Sequence, residues 1–146
     1  MSSLYKLKPV MYRRLWLTLW LFGIFFPMAF LGSIWPAFGR LFNAVFAPVW
    51  MHVIMHAFLY CMLAILLTLW FRFPSIQSSL IIMGLAFLAG CIHESLQILA
   101  AGQWPGWTAE IFDLGVDICG AWVGITITRL WTRRKKKATT SSRVVL

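Results

Sequence analysis

Four long apolar runs divide the chain, and basic, polar or proline-containing segments separate them. The runs do not alternate in polarity as strands do, and a helix of about 20 apolar residues crosses the ~30 Å hydrocarbon core of a bilayer. The pattern therefore predicts an all-α, polytopic membrane protein with four transmembrane helices, at about 15–35, 47–71, 79–101 and 109–131.

Individual residues mark the ends of the predicted helices. Pro27 lies inside the first run, where membrane helices tolerate a proline kink. Pro48 suits the first turn of the second helix, and Gly102 is a natural stop for the third. Thr108 is the expected N-cap of the fourth helix. A basic, Ser/Thr-rich tail, 133–146, follows the transmembrane domain, 1–132.

The composition excludes an ordinary soluble domain. Of the 146 residues, 61% are hydrophobic and 12% are charged, against roughly 45–50% and about 25% in soluble proteins. The three cysteines, Cys61, Cys91 and Cys119, all lie in apolar runs, so they predict packing residues rather than a disulfide framework. No tight metal or cofactor motif is present, and we expect no cofactor.

The distribution of the +9 net charge predicts the orientation of the chain. Of the 13 Lys and Arg residues, all except Arg40 fall on one side of the four runs, which places both termini in the cytoplasm. The basic tail serves as a topology signal, and it also attracts anionic lipids of the inner leaflet. Membrane lipids, and not nucleic acid, are therefore the expected partners.

Polar residues of three predicted helices fall at one depth, about 7–13 Å inside the outer boundary at a rise of ~1.5 Å per residue. Pairs at helical spacing share a face: His52 with His56, Glu94 with Gln97, and Asp113 with Asp117. Ionisable residues inside a membrane tend to face a bundle interior or a cavity. We expect one outward-facing, ligand-binding pocket lined by His56, Glu94, Gln97, Asp113 and Asp117.

Other interpretations of these residues stay open. The carboxyl groups either form a hydrogen-bonded structural network or carry protons. His52 and His56 are either packing groups or ligands of a metal, haem or pigment. The two histidines with Glu94 also match a catalytic zinc ligand set, although we predict no metal. Gly120 and Gly124 share a face with Asp113, where small residues let a neighbouring helix approach closely.

The last two runs resemble the VanZ-like membrane protein family. The resemblance rests on Glu94-Ser95-Leu96-Gln97, the Pro105-Gly106 loop, and Asp113-x3-Asp117-x2-Gly120-Ala121-x2-Gly124, with His56 and Tyr60 matching a His-Phe-x-x-Tyr segment. Departures from the family pattern are Ala57 for Phe, Asp117 for Asn, Trp107 for a loop Arg, and His52-Val53 for an Asp-Lys pair. The last two departures remove charge from the outer mouth.

The resemblance implies a multi-pass protein of the bacterial plasma (inner) membrane that acts at the cell envelope. The family is named for low-level resistance to glycopeptide antibiotics such as teicoplanin, and no reaction is firmly attached to it. Three hypotheses follow. The chain binds an amphipathic envelope ligand, or it is an accessory subunit of a larger respiratory or photosynthetic membrane complex. The third hypothesis is a membrane hydrolase or transferase. It has the least support, because no nucleophile motif is present.

Overall fold

The computed structural model describes residues 3–26, 31–32, 34–46, 48–71, 76–102 and 104–144, and the regular structure within them is helical. The main helices are α1 (Ser3–Phe25), α2 (Pro36–Phe46), α3 (Val49–Phe71), α4 (Ile76–Ala101) and α5 (Trp107–Val144). The all-α class predicted from the apolar runs is therefore confirmed.

Within the described residues, three helices are long and apolar enough to cross a membrane: Val49–Phe71, Ile76–Ala100 and Trp107–Arg134. They correspond to the second, third and fourth predicted spans. Large apolar side chains such as Phe87 and Trp122 are exposed on them, as lipid-facing positions are in membrane helices. The chain thus has the features of a multi-pass membrane protein.

The first predicted span differs from the structure. α1 begins at Ser3 and ends at Phe25, instead of running from 15 to 35. Its apolar part after Arg14 is 11 residues long, or about 16 Å, which is half of a bilayer core. Pro27, the predicted kink, lies outside the described residues. α1 alone therefore does not provide the fourth span that the hydrophobic pattern predicts.

Helix α2 was not expected, because its residues fall in a predicted connection. Pro36 supplies a preset φ at the first helical position. Phe38, Phe42 and Phe46 follow at four-residue intervals, and their neighbouring rings lie 5.9 and 4.6 Å apart between centroids. The i, i+4 spacing of these aromatic residues is the sequence signal for this helix.

The ends of α3 and the C-terminal end of α4 lie close to their predicted positions. The amides of Met51 and His52 donate to the Pro48 carbonyl, at 2.9 and 3.2 Å, so α3 starts where proline suits a first turn. Gly102, at φ 64°, ends α4 in the left-handed region that glycine favours. The predicted start of α3 at Ala47 lies outside the described residues.

Helix α5 starts earlier and ends later than predicted. Gly106 has φ 102°, and its carbonyl accepts the Glu110 amide at 3.4 Å, so Gly106 occupies the N-terminal position predicted for Thr108. The prediction for Thr108 is wrong because glycine makes the sharp entry to the helix two residues earlier. At the other end, the backbone stays helical through the basic segment to Val144.

The core of the bundle lies around α3, which contacts all four other helices. Tyr60, Leu63 and Ala64 of α3 are fully buried, together with Ile82 and Ala86 of α4. α1 runs antiparallel to α3, since the Trp20 indole donates to the Leu59 carbonyl at 2.9 Å while Arg13 donates to the Leu69 carbonyl at 3.1 Å. The N-terminal half of α1 therefore lies beside the C-terminal end of α3.

Helices α3 and α5 are parallel and make the closest contact in the bundle. A Cβ on Gly120 would overlap the Ala57 carbonyl and lie 2.9 Å from its Cα. A Cβ on Gly124 would overlap the Cys61 carbonyl. Because both pairs have the same offset along the chain, the two glycines set a single register between the helices.

Adding one methyl group at this contact should destabilise the fold. Gly124→Ala forces the two backbones apart, and we expect the free energy of unfolding to fall by about 1–3 kcal/mol, as for other overpacked sites. Gly115→Ala, on the same helix with open space around it, should be neutral or stabilising by up to ~1 kcal/mol. Sodium dodecyl sulfate titration in micelles, followed by tryptophan fluorescence, measures both. Equal stability of Gly124→Ala and wild type would contradict the contact.

Candidate functional site

Eight polar side chains from α3, α4 and α5 meet at one end of the bundle. We call them the polar cluster: His52, His56, Tyr60, His93, Glu94, Gln97, Asp113 and Asp117. The parallel register of α3 and α5 brings successive turns of the two helices together. Successive histidines on α3 therefore face successive aspartates on α5.

The centre of the polar cluster is a buried histidine–carboxylate pair. Nδ1 of His56 lies 2.9 Å from Oδ1 of Asp117, and each side chain is 1% exposed. When Asp117 is ionised, its carboxylate can only accept a hydrogen bond, so the donor in that state is Nδ1 of His56. This pairing leaves Nε2 of His56 without a proton when the ring is neutral.

Glu94 approaches the same histidine from α4. Its Oε1 lies 3.7 Å from His56 Nδ1, which is too long for a hydrogen bond, and its side chain is 6% exposed. Among the described residues, neither Glu94 Oε1 nor Asp117 Oδ2 has a hydrogen-bond partner. A buried polar atom without a hydrogen-bond partner lowers the stability of a fold by about 1–3 kcal/mol, so these two oxygens are destabilising.

Gly90 makes room for the Asp117 carboxylate. A Cβ at Gly90 would lie 3.0 Å from Asp117 Oδ2 and 2.9 Å from a Leu114 methyl carbon. A larger residue would therefore press on the buried pair. Gly90 lies one turn before Glu94 on α4, but nothing in its local sequence distinguished it from other glycines of the apolar runs.

A second pair lies one turn nearer to the helix ends. Nε2 of His52 is 3.3 Å from Oδ1 of Asp113, and the His52 side chain is 35% exposed. The rings of His52 and His56 are 4.4 Å apart between centroids. The structure thus forms two layers, an accessible His52–Asp113 layer and a buried His56–Asp117 layer.

His93 joins the polar cluster, although the sequence analysis did not include it. Its Nδ1 lies 3.5 Å from the Tyr60 hydroxyl and its Nε2 lies 3.0 Å from the Gln97 amide nitrogen. Its ring stacks on His56, with centroids 5.3 Å apart. The available signal was the four-residue spacing to Gln97. Gln97 contacts His93 rather than the carboxylates.

A partly enclosed cavity of about 410 Å³ borders the polar cluster. Its aromatic wall comes from α1 and α2, including Phe25, Phe38, Phe42 and Phe46, and α3 and α4 add aliphatic residues such as Leu59 and Leu96. Its polar lining is Asn43, His52, His56, His93 and Gln97. Of the five residues predicted to line one pocket, His56 and Gln97 are in this lining. Glu94, Asp113 and Asp117 instead contact the histidines.

The arrangement has two chemical capacities. The histidines and Gln97 present hydrogen-bonding groups at one side of an apolar cavity, which suits a ligand with a polar head and an apolar body. Separately, His56, His93 and Glu94 each offer one ligand atom, and these atoms lie within 4.8 Å of one another. That spacing suits a metal ion, which the sequence did not predict. His56 reaches this group from α3, and His93 and Glu94 reach it from α4.

Comparisons of the chain with protein-family models, with curated proteins and with solved structures find no match. The resemblance to VanZ-like proteins therefore rests on the motif residues of α3, α4 and α5 alone.

The two histidine–aspartate layers should differ in their contribution to stability. Asp117→Ala leaves His56 buried without its partner, and we expect a loss of about 1–3 kcal/mol in the free energy of unfolding. Asp113→Ala removes the same group from the accessible layer, where an ion pair contributes about 0–1 kcal/mol. Both variants are compared by detergent-micelle unfolding. A larger loss for Asp113→Ala than for Asp117→Ala would contradict the assignment of the buried pair.

Proposed function

We propose that the chain is a ligand-binding membrane protein whose cavity holds an amphipathic molecule. The observation that carries the proposal is the cavity itself, with aromatic walls on one side and a polar lining on the other. Its volume of about 410 Å³ falls within the ~300–1,000 Å³ of small-molecule pockets. Binding, rather than a reaction, is the function that these groups support best.

The lining indicates how such a molecule would bind. The phenylalanine rings of α2 and the end of α1 provide an apolar surface for an acyl or prenyl chain. His52, His93 and Gln97 provide donors for a phosphate, carboxylate or sugar head group. The carboxylates behind the histidines hold the rings in place, so the head-binding groups are oriented before the ligand arrives.

The proposed location of the protein is the bacterial cell envelope. We propose a multi-pass protein of the bacterial plasma membrane with four spans and both termini in the cytoplasm. The basic residues at the other end of the bundle favour a cytoplasmic side there, which turns the cavity outward. The resemblance to VanZ-like proteins supports a lipid-linked envelope precursor or the acyl tail of a glycopeptide antibiotic as the ligand.

Filling the cavity should abolish binding. Leu96 lines the cavity, so Leu96→Trp places an indole where the ligand would lie. Leu99→Trp is the matched control, because Leu99 is on the same helix, outside the lining and 79% exposed. Native mass spectrometry of delipidated protein titrated with lysophosphatidylglycerol should show one bound lipid in wild type and control. We expect affinity at least about tenfold lower in Leu96→Trp, or ~1.4 kcal/mol.

The outcomes separate the hypotheses about the function. Equal lipid affinity in the two tryptophan variants would contradict the proposed cavity. Teicoplanin added in competition tests the glycopeptide form of the proposal, since it should displace the lipid from wild type if its acyl tail occupies the same site. The native mass before delipidation tests the alternative, because an accessory subunit would be recovered with stoichiometric partner chains.

A further inference from the structure

We propose that His56, His93 and Glu94 bind one divalent transition-metal ion of the zinc class beside the cavity. This metal site goes beyond the proposed ligand binding, because its three donor residues do not depend on a bound amphipathic molecule. They come from two helices: His56 from α3, and the adjacent His93 and Glu94 from α4. We call these three residues the metal triad.

The donor atoms of the metal triad are nearly close enough for coordination. All of them lie within 4.8 Å of one another. Ligands at about 2.0–2.2 Å from a tetrahedral zinc ion are roughly 3.3 Å apart, so binding requires a closure of up to about 1.5 Å. Side-chain rotation supplies a movement of that size.

An unpaired buried oxygen points to a missing partner within the triad. Glu94 Oε1 is buried, lies 3.7 Å from His56 Nδ1, and has no hydrogen-bond partner among the described residues. Buried charges in proteins are paired or coordinate metals. A metal ion bound to Glu94 would give this oxygen the partner that it lacks.

The hydrogen-bond partners of the triad histidines match those of histidines that bind metals in other proteins. A metal-bound histidine usually donates its other ring N–H to a carboxylate or another polar group, which fixes the ring. His56 Nδ1 lies 2.9 Å from Asp117 Oδ1, so this ring is already held by a carboxylate. Each ring nitrogen of His93 has a polar neighbour, Tyr60 or Gln97, so one of them stays partnered when the other coordinates.

Charge balance and donor type select the class of ion. A divalent cation with the Glu94 and Asp117 carboxylates forms a neutral group, which reduces the cost of burying either carboxylate alone. Two imidazoles and one carboxylate suit zinc and its first-row neighbours, whereas magnesium and calcium prefer sets of oxygen ligands. Two residues of the triad, His56 and His93, also line the cavity.

The test measures metal binding directly on the full chain. The protein is purified in detergent with a tag that contains no histidine, stripped with a chelator, and titrated with Co²⁺ as a spectroscopic probe for Zn²⁺. We expect one equivalent of Co²⁺, ligand-field bands of a nitrogen and oxygen site, no thiolate-to-cobalt charge-transfer band, and displacement by Zn²⁺. A thiolate band would assign the ion to the cysteines and overturn the proposal.

Variants of matched shape identify the ligands. Glu94→Gln and His93→Gln should each lower Co²⁺ affinity by at least tenfold, and Asp117→Asn should lower it by about 10–100-fold through the His56 ring. Glu110→Gln, at a buried carboxyl on the first turn of α5, is the control and should bind as wild type does.

Other results of the titration and the spectroscopy also support or overturn the proposed metal site. Unchanged affinity in both Glu94→Gln and His93→Gln overturns the proposal, as does substoichiometric binding by wild type. If a variant does not fold, the wild-type cobalt site is examined by X-ray absorption, where two imidazoles and a carboxylate support the triad. A shell of water oxygens without imidazole contradicts it.

Discussion

The close, parallel contact of α3 with α5 is the constraint on which the rest of the structure depends. In a bilayer the hydrophobic effect does not drive helices together, so van der Waals packing and interhelical hydrogen bonds must do so. Gly120 and Gly124 allow the α5 backbone to lie against the carbonyls of Ala57 and Cys61. That contact fixes which turn of α3 faces which turn of α5.

The polar cluster follows from this register. With Ala57 opposite Gly120, His56 meets Asp117 and His52 meets Asp113. α4 then brings His93 and Glu94 to His56, so three histidine rings lie in sequence along the bundle. The aromatic side of α2 completes a cavity over them. Packing by small residues and recognition by polar residues are thus two consequences of one helix contact.

Local patterns predicted the helices better than they predicted the site. Charge, proline and glycine bound the three long spans, and these signals act within a turn or two, as at Pro48 and Gly102. The end of α1 and the α2 helix were missed because a hydrophobic run does not show where a helix breaks. Spacing showed that Glu94 and Gln97 share a face and put Gln97 one turn from His93, but it did not show that Glu94 contacts His56. That contact depends on the register between α3 and α4, which involves residues far apart in sequence.

A distance measurement between α3 and α5 tests this register most directly. Spin labels at cysteines replacing exposed residues, with the three native cysteines changed to alanine, compare the pairs Ile54/Phe112 and Ile54/Leu130 by pulsed electron paramagnetic resonance. In the observed parallel register, Ile54 lies within about two helical turns of Phe112. Its distance from Leu130 along the helix axis is roughly 20 Å. We predict the shorter distance for Ile54/Phe112. A shorter distance for Ile54/Leu130 would contradict the parallel contact and the polar cluster built on it.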